Sequence, residues 1–168
     1  MHKSFASALA AALLTGTLTV RAQSPSMDSS KGNISVRAIA EVETKITQNG
    51  REVSKLVPAD RVVPGDEIIY TLEIHNAGAM ALPPPTVDYP VPEHMRYVAD
   101  SASGPGADIR YSIDGGQTFD RPENLKIVDG QGVKHPAAAE LYTHIRWQLK
   151  HILKANSFAF ARFRVVVK

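Results

Sequence analysis

The feature that most constrains this chain is a period-two alternation of apolar and polar side chains. It is clearest near residue 34, where Ile34, Val36, Ala38 and Val42 alternate with polar or charged residues. Because successive side chains of a β-strand point to opposite faces, this pattern predicts a strand with one buried face. Since apolar residues form no long stripe at helical spacing, the chain is predicted to be built from strands.

Turn signals separate the alternating segments. Asn49-Gly50 is typical of a tight hairpin, since both residues tolerate positive φ, and Pro64-Gly65-Asp66 predicts a second turn. The predicted strands are 34–46, 52–57, 67–75, 86–88, 95–100, 109–113, 125–128, 143–149 and 158–167. Seven to nine short strands of this kind predict an all-β fold, an immunoglobulin-like antiparallel β-sandwich.

The alternation also predicts which side chains form the core. The expected core residues are Ile34, Val36, Val42, Ile68, Tyr70, Leu72, Ile74, Ile145, Trp147, Leu149, Phe163 and Val165. The last strand is ambiguous, because Phe158 and Phe160 share one parity whereas Phe163 and Val165 share the other. A β-bulge near Ala161 would bring both sets to the core side.

The first 22 residues have the layout of a secretory signal peptide. Lys3 supplies a positive start, residues 5–20 carry no charge, and Val20 and Ala22 are small residues at the expected cleavage site. The apolar run is too short for a good membrane span. We therefore expect an exported protein in the periplasm, at the cell surface or in the medium, without a transmembrane span in the mature chain.

Three segments follow from this organisation. Residues 1–22 are the predicted signal peptide, 23–33 a flexible leader rich in Ser, Pro, Gly and Asp, and 34–168 a single β-sandwich domain. The chain has no cysteine, so the exported domain must be stabilised by its core without disulfides.

The charge balance of the predicted mature chain argues against a strongly basic protein such as a nucleic-acid-binding protein. Removal of Lys3 and Arg21 reduces the 19 basic residues to 17, which equals the number of acidic residues. No overall positive field remains to favour nucleic acid. The last 28 residues nevertheless contain six basic residues and no acidic one. They predict either ordinary exposed strand residues or a face for an anionic partner, formed by Arg146, Lys150, Arg162 and Arg164.

Residues 63–78 carry a recognisable pattern: a Pro64-Gly65-Asp66 turn, an alternating strand, and Asn76-Ala77-Gly78. This stretch resembles the conserved repeat domain of bacterial surface proteins, an immunoglobulin-like domain of unknown function. The resemblance extends over about residues 57–101, and this chain has one copy. It implies a module for spacing, assembly or adhesion at the cell envelope, with no catalytic residues.

The same pattern has a physical interpretation. Gly65 permits the turn and the Asp66 carboxylate caps it. Asn76 and Gly78 are expected to adopt left-handed backbone conformations where the chain leaves the strand.

A second pattern lies at residues 112–119. Ser112, Asp114, Gly116, Thr118 and Phe119 match Ser-x-Asp-x-Gly-x-Thr-aromatic at every defined position. The segment resembles the Asp-box hairpins of sialidases and other β-propellers, but a single copy does not imply a propeller. Asp114 is expected to accept backbone N–H groups, Gly116 to take positive φ, and Phe119 to pack under the hairpin.

Two ligand-binding functions remain open as alternatives. His75, Met80, His94 and Met95 could form a copper site in a periplasmic protein. A calcium- or carbohydrate-binding module would instead use loop acids or exposed tyrosines. The candidate acids are Asp100, Asp108, Asp114, Asp120, Glu123 and Asp129. The candidate tyrosines are Tyr89, Tyr97, Tyr111 and Tyr142.

The leading expectation is an exported, non-catalytic structural or protein-interaction module of the bacterial cell envelope. It requires no cofactor, and its expected partner is an envelope protein or a surface polymer.

Overall fold

The computed structural model describes residues 33–104 and 106–168, which form ten strands and two single 3₁₀ turns. The strands are β1 (Ile34–Gln48), β2 (Arg51–Pro58), β3 (Glu67–Asn76), β4 (Thr86–Pro90), β5 (Met95–Tyr97), β6 (Ala107–Ser112), β7 (Lys126–Val128), β8 (Lys134–Pro136), β9 (His144–Leu149) and β10 (Phe158–Val167). The 3₁₀ turns are Pro122–Asn124 and Ala139–Leu141. Within these ranges no helix is long and apolar enough to cross a bilayer.

The strands form two main antiparallel sheets and one small hairpin. The larger sheet has the order β2-β1-β3-β10-β5, the smaller has the order β4-β9-β6, and β7 pairs with β8. This confirms the predicted all-β antiparallel sandwich. The sequence pattern missed β8, which is a three-residue strand within a loop. The predicted signal peptide and nearly all of the predicted leader lie outside the described residues.

The core lies between the two sheets and is centred on β3. Alternate β3 side chains are fully buried, and the inner residues of β10 and β9 pack against them. The Tyr70 ring stacks on Phe163 with centroids 5.1 Å apart, and Trp147 lies 6.0 Å from the same phenylalanine. Among the predicted core residues, those on these three strands are buried except Leu149, which packs half-buried at the margin with Ile34, Val36 and Val42.

The predicted bulge in β10 is wrong. Pairing with β3 runs without interruption from Phe158 opposite His75 to Val166 opposite Glu67. Phe158 and Phe160 therefore lie on the outer face, where they are 53% and 49% exposed. The Phe158 ring stacks on the His75 ring at 4.1 Å, so part of its apolar surface is covered by a cross-strand neighbour and not by the core.

One hairpin extends beyond the sandwich. β1 pairs with β3 only through Val42, whereas it pairs with β2 from Glu41 to Gln48. Residues 43–57 thus form a two-stranded ribbon, called the hairpin arm below. Its turn residues Asn49 and Gly50 have φ of 52° and 74°, which confirms the predicted hairpin.

Trp147→Ala tests the position of the core. Trp147 is buried, and its indole N–H donates to the Ser103 carbonyl at 3.1 Å. We expect the substitution to lower the free energy of unfolding by about 3–5 kcal/mol, because it leaves a large cavity. The control is Phe160→Ala, which should change it by less than about 1 kcal/mol. Urea unfolding measures both, and equal effects would contradict this core.

Candidate functional site

The turn that precedes β3 is fixed by its own side chain and by β10. Gly65 has φ of 96°, and the Asp66 carboxylate accepts the Val63 N–H at 2.8 Å. The Gly65 N–H donates to the Val167 carbonyl, and the Val167 N–H donates to the Asp66 carbonyl, both at 3.0 Å. The exposed Pro64 precedes this glycine. The turn therefore joins the start of β3 to the end of β10.

Asn76 ends β3 by a mechanism that the sequence did not predict. The expected left-handed conformation is wrong, since its φ is not positive. Instead Asn76 is fully buried, and its Nδ2 donates to the carbonyls of Met80 at 2.8 Å and of Leu153 and Lys154 at 3.0 Å. Its Oδ1 accepts the Gly78 N–H at 3.0 Å. One amide thus holds two loops against the strand end.

Gly78 is also not left-handed, and the reason for a glycine there is space. A Cβ at this position would lie 2.5 Å from Nδ2 of Asn33. The Ala77 N–H donates to the Asn33 carbonyl at 2.8 Å, so this close approach is fixed by the backbone. Glycine here permits the contact between the chain before β1 and the end of β3.

The Asp114 carboxylate organises the hairpin that follows β6. It accepts hydrogen bonds from the Thr118 hydroxyl at 2.6 Å, the Ser112 hydroxyl at 2.7 Å, and the N–H groups of Gln117 and Thr118. Gly116 has φ of 84°. These hydrogen bonds hold the pKa of Asp114 far below its usual value. The largest contributions come from the Thr118 hydroxyl and N–H, and the next from the Ser112 hydroxyl. These contacts are those of a self-capped turn.

Phe119 packs beneath an arginine. The Arg146 guanidinium lies 3.8 Å from the centre of the Phe119 ring. Its Nε and Nη2 both donate to the Asp88 carboxylate at 2.7 Å, which raises the pKa of Arg146. Arg146 is therefore fixed in a cross-strand contact on the outer face of the smaller sheet.

The four predicted anion-binding residues do not form one face. Arg146 lies on the smaller sheet and exposed Lys150 follows β9, whereas Arg162 and Arg164 lie on β10 of the larger sheet. Arg164 pairs with Glu67 at 2.7 Å, and Arg162 donates to the Thr71 hydroxyl at 3.1 Å. The predicted common face is wrong, because the cations belong to two sheets and three of them have local partners.

The predicted copper ligands are also separated. His75 lies opposite Phe158 at the start of β10, whereas Met95 lies opposite Val167 at its end. Nine residues of strand separate these positions by roughly 30 Å. Met95 is buried beside the Tyr70 hydroxyl, and Met80 and His94 are exposed. The four residues cannot bind one ion in this fold.

Four of the six candidate loop acids, including Asp114, are engaged individually. Asp108 contacts Arg110 and Arg121, Asp120 accepts the Asn124 amide, and Asp129 pairs with His135 at 2.7 Å. The Asn124 amide lowers the pKa of Asp120, and His135 that of Asp129. Within residues 33–104 and 106–168, no group of three or more acidic, histidine or cysteine side chains is placed to hold a metal ion.

The tyrosines proposed as an exposed sugar-binding surface lie in the core, so that expectation is wrong. Tyr97 and Tyr111 share a hydroxyl–hydroxyl contact of 3.1 Å, and Tyr142 stacks on Tyr97 at 5.6 Å. The pKa of Tyr89 is raised to about 12, mainly because the side chain is buried. Its hydroxyl has no hydrogen-bond partner in the described part of the chain.

The structure reveals one surface that sequence reasoning missed, the hairpin arm. Ile46 and Val53 lie directly opposite each other on it and are 37% and 36% exposed. The alternation of β1 assigned Ile46 to a buried face, and only the end of β3 pairing at Val42 shows that the face is uncovered there. No known protein family, curated protein or solved structure matches this chain.

Asn76→Asp tests the role of the buried amide. The substitution replaces a donor with a carboxylate that faces three carbonyl oxygens, so we expect a loss of at least about 3 kcal/mol in the free energy of unfolding at pH 7. Asn156→Asp, at an exposed left-handed turn position, is the matched control and should change stability little. Chemical denaturation measures both variants. Similar small effects would show that Asn76 is not essential to the strand end.

Asp114→Asn tests the self-capped hairpin through pH. Because the pKa of Asp114 is lowered in the folded state, its stabilisation is present above the unfolded pKa and lost as the pH falls. The melting temperature of the variant should therefore be lower than that of the unsubstituted chain at pH 7. The difference between the two melting temperatures should narrow below about pH 4. Asp60→Asn, at an exposed position, is the control. A gap that does not change with pH would contradict this assignment.

Proposed function

We propose that this chain is a non-catalytic structural or protein-interaction module that is exported to the bacterial cell envelope. One observation carries the proposal: the polar side chains of the two sequence motifs, residues 63–78 and 112–119, form hydrogen bonds within the fold. Asp66, Asn76 and Asp114 all bond to the nearby backbone. Groups committed in this way stabilise a scaffold, and their carboxylate and amide atoms already have partners.

The sequence resemblance supports the same role. Residues 57–101, which resemble the conserved repeat domain of bacterial surface proteins, include β3 and its two bracketing motifs. A sandwich module of that kind would act through its surface. The signal-like residues 1–22 supply the route of export.

The ligand-binding alternatives have less support, because their candidate residues do not converge on one exposed site. The copper candidates His75 and Met95 lie beside opposite ends of β10, the tyrosines are buried, and four of the six loop acids bond to different partners. We therefore do not propose a second function.

Export is tested by fractionation of a Gram-negative host that expresses the chain with a C-terminal epitope tag. We expect the tagged protein in the periplasm or the medium, with Gln23 at its N-terminus. The control lacks residues 2–22 and should stay in the cytoplasm. Recovery of the uncleaved full chain from the cytoplasm would contradict the proposed location.

A further inference from the structure

The hairpin arm has an unpaired edge whose direction can be assigned. The Ala59 N–H donates to the Ala40 carbonyl at 3.0 Å, so even-numbered residues of β1 direct their backbone groups towards β2. Backbone groups alternate in direction along a strand, and Glu43, Lys45 and Thr47 therefore direct theirs to the opposite edge. Pairing with β3 ends at Val42, so beyond it this edge has no strand partner in the described part of the chain.

The arm also has an uncovered apolar face. Ile46 and Val53 form one cross-strand pair, and each exposes more than a third of its surface. A two-stranded ribbon in water is marginally stable without a third strand or a cover. The arm therefore presents both an edge and a face that a further strand would complete.

A groove lies at the base of the arm, where β1 and β3 diverge. Its volume is about 300 Å³. The lining residues are Val42, Glu43, Thr44, Asp66, Glu67 and Ile69. Three of these are acidic. Glu67 is paired with Arg164, whereas Glu43 and Asp66 form no salt bridge within the described residues. The tip of the arm, in contrast, carries Arg51 directly after its turn. The tip and the groove are thus complementary in charge, but within one molecule they lie at opposite ends of the arm.

We propose that two copies of this chain pair along the free edge of β1, with two-fold symmetry and with Ile46 on the axis. Residues directly opposite in a symmetric antiparallel pair must face the same side, which limits the choice of register. An axis at Lys45 places two lysines opposite each other, which is unfavourable because like charges repel. An axis at Thr47 places the apolar Ile46 opposite the polar Gln48. The axis at Ile46 avoids both and places Lys45 opposite Thr47.

This register uses all three features of the arm. Lys45 and Thr47 form hydrogen-bonded pairs across the interface, and each pair exchanges two N–H···O bonds. The arms join into a four-stranded sheet, in which Ile46 and Val53 of both copies lie on one face. The turn of the second copy reaches the fork between Glu43 and Glu67, where the new pairing must end because β3 occupies the edge from Val42 onward. Arg51 of the second copy then approaches the acidic groove. Dimerisation of this kind is a property of the purified chain, so it does not depend on the proposed role in the envelope.

Disulfide trapping tests the register, since the chain has no cysteine. Across the proposed axis Ile46 faces itself in a pair without hydrogen bonds, at a Cα separation of about 4.5 Å. That separation suits a disulfide. Ile46→Cys should form a covalent dimer at least about tenfold faster than Val53→Cys, which is equally exposed. Equal rates, or faster linkage at Val53, would overturn the proposal.

Proline substitution tests the edge, with the dimer dissociation constant as the readout. Lys45 and Ser54 lie opposite each other in the arm, and their N–H groups point to its two different edges. Proline at either position spares the β1–β2 ladder. Lys45→Pro removes an N–H at the proposed interface and should weaken dimerisation at least about tenfold, whereas Ser54→Pro should leave it nearly unchanged.

Sedimentation equilibrium of the purified protein measures both variants, and circular dichroism checks that they fold. A monomeric unsubstituted chain up to about 1 mM, or equal weakening by both prolines, would contradict the proposed dimer. If Lys45→Pro does not fold, the comparison of the two cysteine variants decides the question.

Discussion

The burial of the inner face of β3 is the interaction on which the rest of the structure depends. β3 lies at the centre of the larger sheet, and its alternate side chains from Ile68 to Ile74 are buried. Phe163 of β10 packs between Tyr70 and Trp147, so one ring links the two sheets. Because the chain has no cysteine, no disulfide contributes, and burial of apolar surface of this kind is the main stabilising term.

The polar motifs hold the two ends of this central pair of strands. The Gly65 and Asp66 turn binds Val167, which ends β10, whereas Asn76 binds the loop that precedes β10. β3 and β10 are therefore fixed to each other at both ends, in addition to the continuous ladder between them. This arrangement explains why strongly polar residues border a strand whose inner face is fully buried.

The sequence predicted the strands well, because alternation reports directly which residues share a face. It failed where alternation carries no information about depth. Phe158 and Phe160 are apolar but lie outward, since the opposite parity of β10 already fills the core. Asn76 has a high turn propensity, but its burial among three carbonyls decided its conformation. Contacts between distant segments, such as Arg146 over Phe119, have no local signal at all.

Native-state hydrogen exchange followed by NMR tests the central claim most directly. If the contact of β3 and β10 with β9 is the stable centre, the amides of Leu72, Phe163 and Ile145 should exchange only through global unfolding. Amides of β2 in the hairpin arm should exchange through local opening, at a lower free energy. Exchange of the three core amides as fast as those of β2 would contradict the account.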